Sequence, residues 1–375
     1  MPESRGELTR VAVKDLIDIA GLPSTAGSKA VAATTGPAAA DAACLAGTRL
    51  AESAGEVVIV GKTNLHELAF GVTGINPWFG TPLNPLDPAL VPGGSSSGSA
   101  VAVATGEADV AFGTDTGGSI RIPAACCGVV GMKTTRNRVS LQGVLPLAPS
   151  LDTVGPMGAT VDVTELGMRL LEPGFSSLGT RPATTVGRVR LPAESWVDAA
   201  IDAAIDAYST RTGASVTNVR LPLWAEATHA VMTIMSAEAW QVHRKLWQSH
   251  RDELGPDVAQ RLELASFIDP SEVAEAWEMA RNWVRELESV FATVEVLALP
   301  VLAGAPPSLA DAKRLTEIRY VAPFNLSGTP ATAQPVRSAT SLPASLQLAG
   351  PAGSEEMLLA TARAVEAAAG WLRPQ

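Results

Sequence analysis

Residues 92–99 read PGGSSSGS, and residues 113–121 read GTDTGGSIR. Small apolar residues follow the first stretch at 97–105 and predict a tightly packed helix, whereas 109–112 lead into the second stretch as a short buried strand. Glycine-rich turns between a buried strand and a helix are typical of α/β proteins. This pair of stretches therefore predicts an α/β architecture with a largely buried sheet and two serine-rich loops.

The segments around these loops continue the alternation of strand and helix. We predict strands at 9–13, 56–60, 128–132, 294–299 and 344–348, and helices at 37–54, 64–70 and 355–369. From Trp224 to Trp283 the chain has a strongly helical pattern, which we interpret as a helix-rich region with an apolar core face.

The chemistry that these loops offer depends on a base. A serine hydroxyl is a poor nucleophile at neutral pH until another group takes its proton. Lys62 follows the apolar run 57–60 and Gly61, so burial is expected to favour its uncharged form and to lower its pKa. The sequence thus predicts a serine nucleophile with a lysine base, and no metal or cofactor is expected.

The overall composition excludes several classes of protein. Of 375 residues, 46% are hydrophobic and 18% charged, and the net charge of −10 with no basic block argues against a nucleic-acid partner. The three cysteines have no zinc-type spacing, which argues against a metal site. No signal-peptide or membrane-spanning apolar run occurs, so we expect a cytoplasmic protein with no membrane partner.

Several longer motifs, in this order, resemble the amidase signature family. Besides the two serine stretches they are VGKTN at 60–64, CGVVGMK at 127–133, SLDTVGP at 150–156, PFNLSG at 323–328 and SLQLAGP at 345–351. The resemblance implies an amidase signature fold, in which helices cover both faces of a central mixed, twisted β-sheet. It implies a single amidase domain over 1–375, with a triad-bearing core at about 9–160, a helical substrate-pocket region at about 195–290 and a C-terminal return to the core at about 291–375.

The resemblance also implies a catalytic Ser-cisSer-Lys triad. Ser119 matches the nucleophile, Ser95 matches the bridging serine because it lies 24 residues earlier, and Lys62 matches the base. The peptide bond before the bridging serine is cis in the family, and here that bond joins Gly94 to Ser95.

The backbone N–H groups of Thr116, Gly117, Gly118 and Ser119 match the family's oxyanion hole. Such donors stabilise the negative charge that develops on the carbonyl oxygen of the substrate.

Four more residues are candidates for supporting or substrate-binding roles. They are Gly94 and Ser96 in the first loop, and Asp115 and Arg121 in the second. We interpret Ser96 as a hydrogen-bonding partner and Asp115 as a residue that orders the loop. Arg121 either forms a structural ion pair or binds a carboxylate of the substrate.

Together these features predict an amidase that hydrolyses the C–N bond of a linear, small-molecule carboxylic amide. The acyl-enzyme would form on Ser119, and ammonia or an amine would be released. Three alternatives remain open: the amidase subunit of a tRNA-dependent amidotransferase, an α/β-hydrolase-type esterase that uses Ser96 in the pattern GSSSG, and a non-catalytic scaffold. Family members commonly carry a helical segment before the first strand, and 11–15 come almost at once here, so a homodimer is left open.

Overall fold

The computed structural model describes residues 8–315 and 318–369. Within them, ten strands form one mixed sheet in the order β2-β1-β3-β5-β4-β9-β10-β8-β6-β7. The strands are β1 (Thr9–Lys14), β2 (Val57–Thr63), β3 (Val110–Thr114), β4 (Val130–Lys133), β5 (Val154–Gly158), β6 (Thr185–Val189), β7 (Ser215–Val219), β8 (Val296–Pro300), β9 (Ala331–Val336) and β10 (Ala344–Ala349).

The sheet has parallel edges and an antiparallel centre. β1 pairs in parallel with β2 and β3, and β6 pairs in parallel with β7 and β8. The strands between these two groups are antiparallel to their neighbours. Runs buried along their whole length, as in β3, β5, β8 and β10, are typical of strands covered on both faces.

Helices flank this sheet, as predicted for the fold class. They are α1 (Lys29–Ala32), α2 (Ala46–Ser53), α3 (Ser97–Thr105), α4 (Arg121–Cys127), α5 (Val161–Leu171), α6 (Ser195–Thr212), α7 (Trp224–His250), α8 (Pro256–Ala265), α9 (Pro270–Phe291), α10 (Ile318–Val321), α11 (Pro323–Ser327) and α12 (Glu355–Ala369). Short 3-10 turns occur at Ala43–Leu45, Glu67–Ala69, Arg251–Glu253 and Ala312–Arg314. Among the described residues, no helix has both the length and the apolar character needed to cross a membrane.

Two predicted helices are shorter than expected. Only Ala46–Ser53 of the segment 37–54 is α-helical, because Pro37 and Ala38 form β-bridges with Pro23 and Ala20 instead. In the segment 64–70, only one 3-10 turn forms. Leu68 and Ala69 there have φ values of 54° and 57°, which no α-helix contains.

The arrangement of β1, β3 and α3 sets the position of the site. β1 and β3 are parallel neighbours with Val13 opposite Phe112, so their carboxyl ends meet at one edge of the sheet. Lys14 ends β1, and Thr114 ends β3 just before the loop that carries Ser119. The first residue of α3 comes directly after Ser96, which places the other serine loop next to them.

Candidate active site

Lys14 lies at the centre of the candidate site. Its side chain is fully buried, with Nζ 2.7 Å from Ser95 Oγ and 2.8 Å from Thr114 Oγ1. Burial lowers the pKa of Lys14 to about 7, against the opposing influence of the Asp115 and Asp152 carboxylates. An amine in this environment can exist uncharged near neutral pH, in direct contact with a serine hydroxyl.

Lys62 does not occupy the position predicted for it. Its Nζ lies 2.8 Å from Asp15 Oδ1 and 2.7 Å from Ser24 Oγ, in an ion pair away from Ser95. The register of the sheet explains the error: Lys62 is paired with Val13 on β1, whereas Lys14 is paired with Thr63. Because side chains alternate between the two faces of a strand, Lys62 and Lys14 point to opposite faces.

Hydrogen bonding connects the first serine loop to the end of β3. The peptide bond between Gly94 and Ser95 is cis, as the family resemblance implied. Ser96 donates through Oγ to the carbonyl oxygen of Thr114 at 3.2 Å and through its backbone N–H to the carbonyl oxygen of Ser119 at 3.1 Å. These bonds hold the loop with Ser95 against the loop with Ser119.

The second loop presents Ser119 and several backbone N–H groups. Ser119 is 5% exposed, and it lines a cavity together with Thr116 and Gly117. Within the described part of the chain, the N–H groups of these three residues have no protein acceptor. The N–H of Gly118 differs because it donates to Asp115 Oδ1 at 2.8 Å, so this member of the predicted oxyanion hole is already engaged.

Gly118 has a conformation that requires glycine. Its φ is +116°, and a Cβ atom at this position would come within 2.3 Å of Val321 Cγ2. The turn that brings Ser119 to the cavity therefore depends on the absence of a side chain here.

Asp115 and Arg121 form a buried network beneath this loop. Both side chains are fully buried, and Arg121 donates to both carboxylate oxygens at 3.0 and 2.9 Å. Burial by itself would raise the pKa of Asp115, but the charge and hydrogen bonds of Arg121 hold it well below its usual value. Arg121 also donates to Asn325 Oδ1 and Gln347 Oε1, at 2.6 and 2.7 Å. Arg121 is thus enclosed by protein acceptors and does not line the cavity.

The cavity beside Ser119 has a volume of about 550 Å³. This lies within the usual range for small-molecule sites, about 300–1,000 Å³. Its walls come from the segment 69–72, the loop with Ser119, α7, α8 and residues 313, 315 and 318. The helical region and the loop with Ser119 therefore both contribute to the lining of the cavity.

Comparisons with known proteins identify the family of this chain. The family model described as Amidase matches residues 10–359. The chain belongs to the amidase family. Relatives of this amidase-family chain include a protein named as a deaminase and one named as an amidase, and its mixed sheet flanked by helices matches amidase structures.

Two curated relatives of this amidase-family chain carry names that describe different activities. A glutamyl-tRNA(Gln) amidotransferase subunit of Halobacterium salinarum is 33% identical over an alignment of 416 positions. The alignment covers 96% of this chain and 95% of that protein. The 2-amino-5-chloromuconic acid deaminase of Comamonas testosteroni is 34% identical over 381 residues, covering 96% of this chain and 81% of that protein. A crystal structure of an amidase superposes with a TM-score of 0.87 at 32% identity, covering 98% and 87% of the two chains.

Sequence reasoning missed some residues of the candidate site. Lys14 follows the apolar run 11–13, a signal as strong as the one that singled out Lys62. Asp152, in the motif at 150–156, accepts a 2.6 Å hydrogen bond from Thr116 Oγ1 in the loop that carries Ser119. Burial raises the pKa of Asp152 to about 6. The roles of these side chains depend on contacts between segments far apart in the chain, which no local pattern reveals.

Removing the partner of Asp115 should destabilise the amidase fold strongly. We expect Arg121→Met to lower the free energy of unfolding by about 3–5 kcal/mol, because it leaves a fully buried carboxylate without its cation. Urea unfolding followed by circular dichroism measures this change. Arg285→Met, at an exposed site on α9, is the control and should stay within about 0.5 kcal/mol of wild type. If Arg121→Met had the same urea midpoint of unfolding as the wild type, the stability of the fold would not depend on pairing Asp115 with this cation.

Proposed function

We propose that this protein hydrolyses a small carboxylic amide through an acyl-enzyme on Ser119, with Lys14 as the base and Ser95 as the bridge between them. The observation that carries the proposal is the buried Lys14 Nζ, 2.7 Å from Ser95 Oγ. The pKa of about 7 fits a general base that works near neutral pH. The assignment of the base to Lys14 replaces the assignment to Lys62.

The first half of the reaction forms the acyl-enzyme. Neutral Lys14 takes the proton of Ser95, Ser95 takes the proton of Ser119, and Ser119 Oγ attacks the amide carbon. The protonated Lys14 then returns a proton through Ser95 to the nitrogen of the leaving group, which departs as ammonia or an amine. Thr114 Oγ1, 2.8 Å from Nζ, fixes the direction of the Lys14 side chain during both transfers.

The carbonyl oxygen of the substrate needs hydrogen-bond donors as it becomes negatively charged. We assign this role to the N–H groups of Thr116, Gly117 and Ser119, which border the cavity. Gly118 is omitted because Asp115 accepts its N–H. Asp115 then acts by holding the loop in shape. In the second half, water attacks the acyl-enzyme by the same relay of protons.

The pH dependence of the reaction follows from the pKa of Lys14. The base must be uncharged, so kcat/KM should rise about tenfold per pH unit below a pKa of about 7 and become constant above it. Initial rates measured from about pH 5 to about pH 9 test this expectation. A profile that is flat over this range, or that falls with rising pH, would contradict a lysine base with this pKa.

Release of ammonia from a panel of small amides tests the proposed function itself. Wild-type protein should release ammonia from at least one amide, and the Ser119→Ala variant should not. Equal release by both proteins would mean that Ser119 is not the nucleophile, and the proposal would fail.

A second candidate is the amidase subunit of a tRNA-dependent amidotransferase. It is favoured by relatives named as subunits of glutamyl-tRNA(Gln) amidotransferase, such as that of Anaeromyxobacter dehalogenans at 35% identity over 97% of this chain and 83% of that protein. Such a role would use the same Ser119 chemistry on glutamine. Glutaminase activity that appears only with a co-purifying partner protein would support it, whereas amide hydrolysis by the isolated chain would favour the first candidate.

The esterase alternative has little geometric support. Ser96 is fully buried and its hydroxyl donates to a backbone carbonyl, while the ring nitrogens of His66 contact Asp257 and Thr73. A nucleophile elbow also needs a strand immediately before the serine, and residues 84–95 contain none. The cytoplasmic location, the single domain and the homodimer remain predictions.

A further inference from the structure

The cavity beside Ser119 has a largely apolar wall. Side chains of Met232 and Met235 on α7, Leu264 on α8, and Leu315 and Ile318 near α10 form much of it. These groups favour a hydrocarbon segment in the substrate over a polar one, because burying an apolar surface against them releases water.

Two cations interrupt this apolar lining. Arg261 and Lys313 are the charged side chains among the described residues that border the cavity, and no carboxylate borders it in that part of the chain. This sign is opposite to that of the whole protein, which has 38 acidic and 28 basic residues. Charged lining that is positive among the described residues, in a protein that is acidic as a whole, favours an anionic ligand.

Neither cation is engaged in a salt bridge within the described ranges 8–315 and 318–369. On α8, the acidic neighbours of Arg261 have other partners: Asp257 contacts His66, and Glu263 pairs with Arg251. The charge of Arg261 does lower the pKa of Asp257, but burial and His66 act on that carboxyl more strongly. The guanidinium group of Arg261 and the ammonium group of Lys313 therefore keep donors for a ligand.

The positions of these groups give the substrate a direction. Arg261 and Lys313 are exposed, whereas Ser119 is only 5% exposed. The cations thus lie on the solvent side of the cavity lining, and Ser119 lies on its buried side. An arginine fork matches the two oxygens of a carboxylate, and a lysine adds a second charged donor.

We propose that the substrate is an ω-carboxylated amide: an amide at one end, a hydrocarbon segment in the middle, and a carboxylate held by Arg261 and Lys313 at the other end. This inference rests on the proposed function, since the amide is taken to react at Ser119, and it names the substrate class of that site. Arg121, the other arginine considered for a carboxylate, is enclosed by Asp115 and does not compete for this role.

Three probes of equal length test the charge preference. Adipamate carries a carboxylate at the far end, hexanamide a methyl group, and ω-aminohexanamide an ammonium group. We expect kcat/KM for adipamate to exceed that for hexanamide by about 10- to 100-fold, the range expected for charged hydrogen bonds. The value for ω-aminohexanamide should be the lowest. Monoamides from succinamate to suberamate, each with its neutral counterpart, cover the other lengths.

Charge-removing variants assign the preference to the two cations. In Arg261→Gln/Lys313→Gln, the ratio of kcat/KM for adipamate over hexanamide should fall to about one, chiefly through a higher KM for adipamate. Arg314→Gln is the matched control, because Arg314 is an exposed neighbour of Lys313 that does not border the cavity. It should keep the wild-type ratio.

A binding measurement separates this inference from the proposed function. In the Ser119→Ala background, ligand-observed NMR titrations should give a lower Kd for adipamate than for hexanamide, and the double substitution should remove the difference. If wild type binds adipamate in this way but hydrolyses no amide, the anion site holds and the proposed function fails. If amides are hydrolysed but no length shows a carboxylate preference, or the double variant keeps that preference, the anion site is overturned and the proposed function stands.

Discussion

Replacing Lys14 by methionine is expected to lower kcat/KM for any amide that this protein hydrolyses by about 10²–10⁴-fold. Methionine fills much of the buried space of the lysine chain but cannot accept a proton. Ser95 would lose the amine 2.7 Å away, so the relay from Ser119 would have no end point. Steady-state kinetics above pH 7, where Lys14 is neutral, would show the full loss.

Lys62→Met is the matched control for this substitution. It removes an equivalent amine from the neighbouring strand, but that amine is paired with Asp15 and not with the serines. We expect kcat/KM within about threefold of wild type, together with a loss of thermal stability, because the largely buried carboxylate of Asp15 loses its cation. A loss for Lys62→Met as large as that for Lys14→Met, with both proteins folded, would contradict the assignment of the base.

Ser119→Ala should have the largest effect on turnover, a loss of about 10⁴-fold or more. The change removes one oxygen atom from a residue that is 5% exposed, and it leaves Asp115, Arg121 and the backbone donors in place. Because folding should be unaffected, the loss of turnover would reflect the chemical step alone. Intact-mass measurement during turnover should show an acyl adduct on the wild type and none on the variant.

Ser96→Ala is the control that excludes a general effect of losing a loop serine. Its hydroxyl donates to the carbonyl oxygen of Thr114, so the substitution costs a buried hydrogen bond of about 1 kcal/mol but removes no proton carrier. We expect a loss of turnover of less than about tenfold. The opposite order, with Ser96 essential and Ser119 dispensable, would favour the esterase alternative.

Much of the fold was predictable from local sequence. The ranges predicted for α3 and α12 agree with the structure, because small apolar runs and a long apolar periodicity are local signals. The segment 37–54 is rich in alanine and predicts a helix, but its first part instead forms bridges to residues 20–23. Propensity is a weak signal where a segment from elsewhere in the chain offers backbone partners.

The candidate site was predictable only in part, for a related reason. The two serine loops are recognisable from their glycines, and the family resemblance singles out Ser95 and Ser119 within them. Lys14 and Lys62 both lie at the end of a strand, and the strand register that separates them is a property of the assembled sheet. Similarly, the motifs at 323–328 and 345–351 gave no chemical role until Asn325 and Gln347 were seen to enclose Arg121.

The most direct test of the central claim requires no knowledge of the substrate. A fluorophosphonate probe reacts with an activated serine, so its rate of attachment, located by peptide mass spectrometry, measures nucleophile and base together. We predict labelling at Ser119, at similar rates in wild type and Lys62→Met, and slower by at least about 10²-fold in Lys14→Met. Labelling at another residue, or equal rates in Lys14→Met and wild type, would contradict the assignment of Lys14 as the base for Ser119.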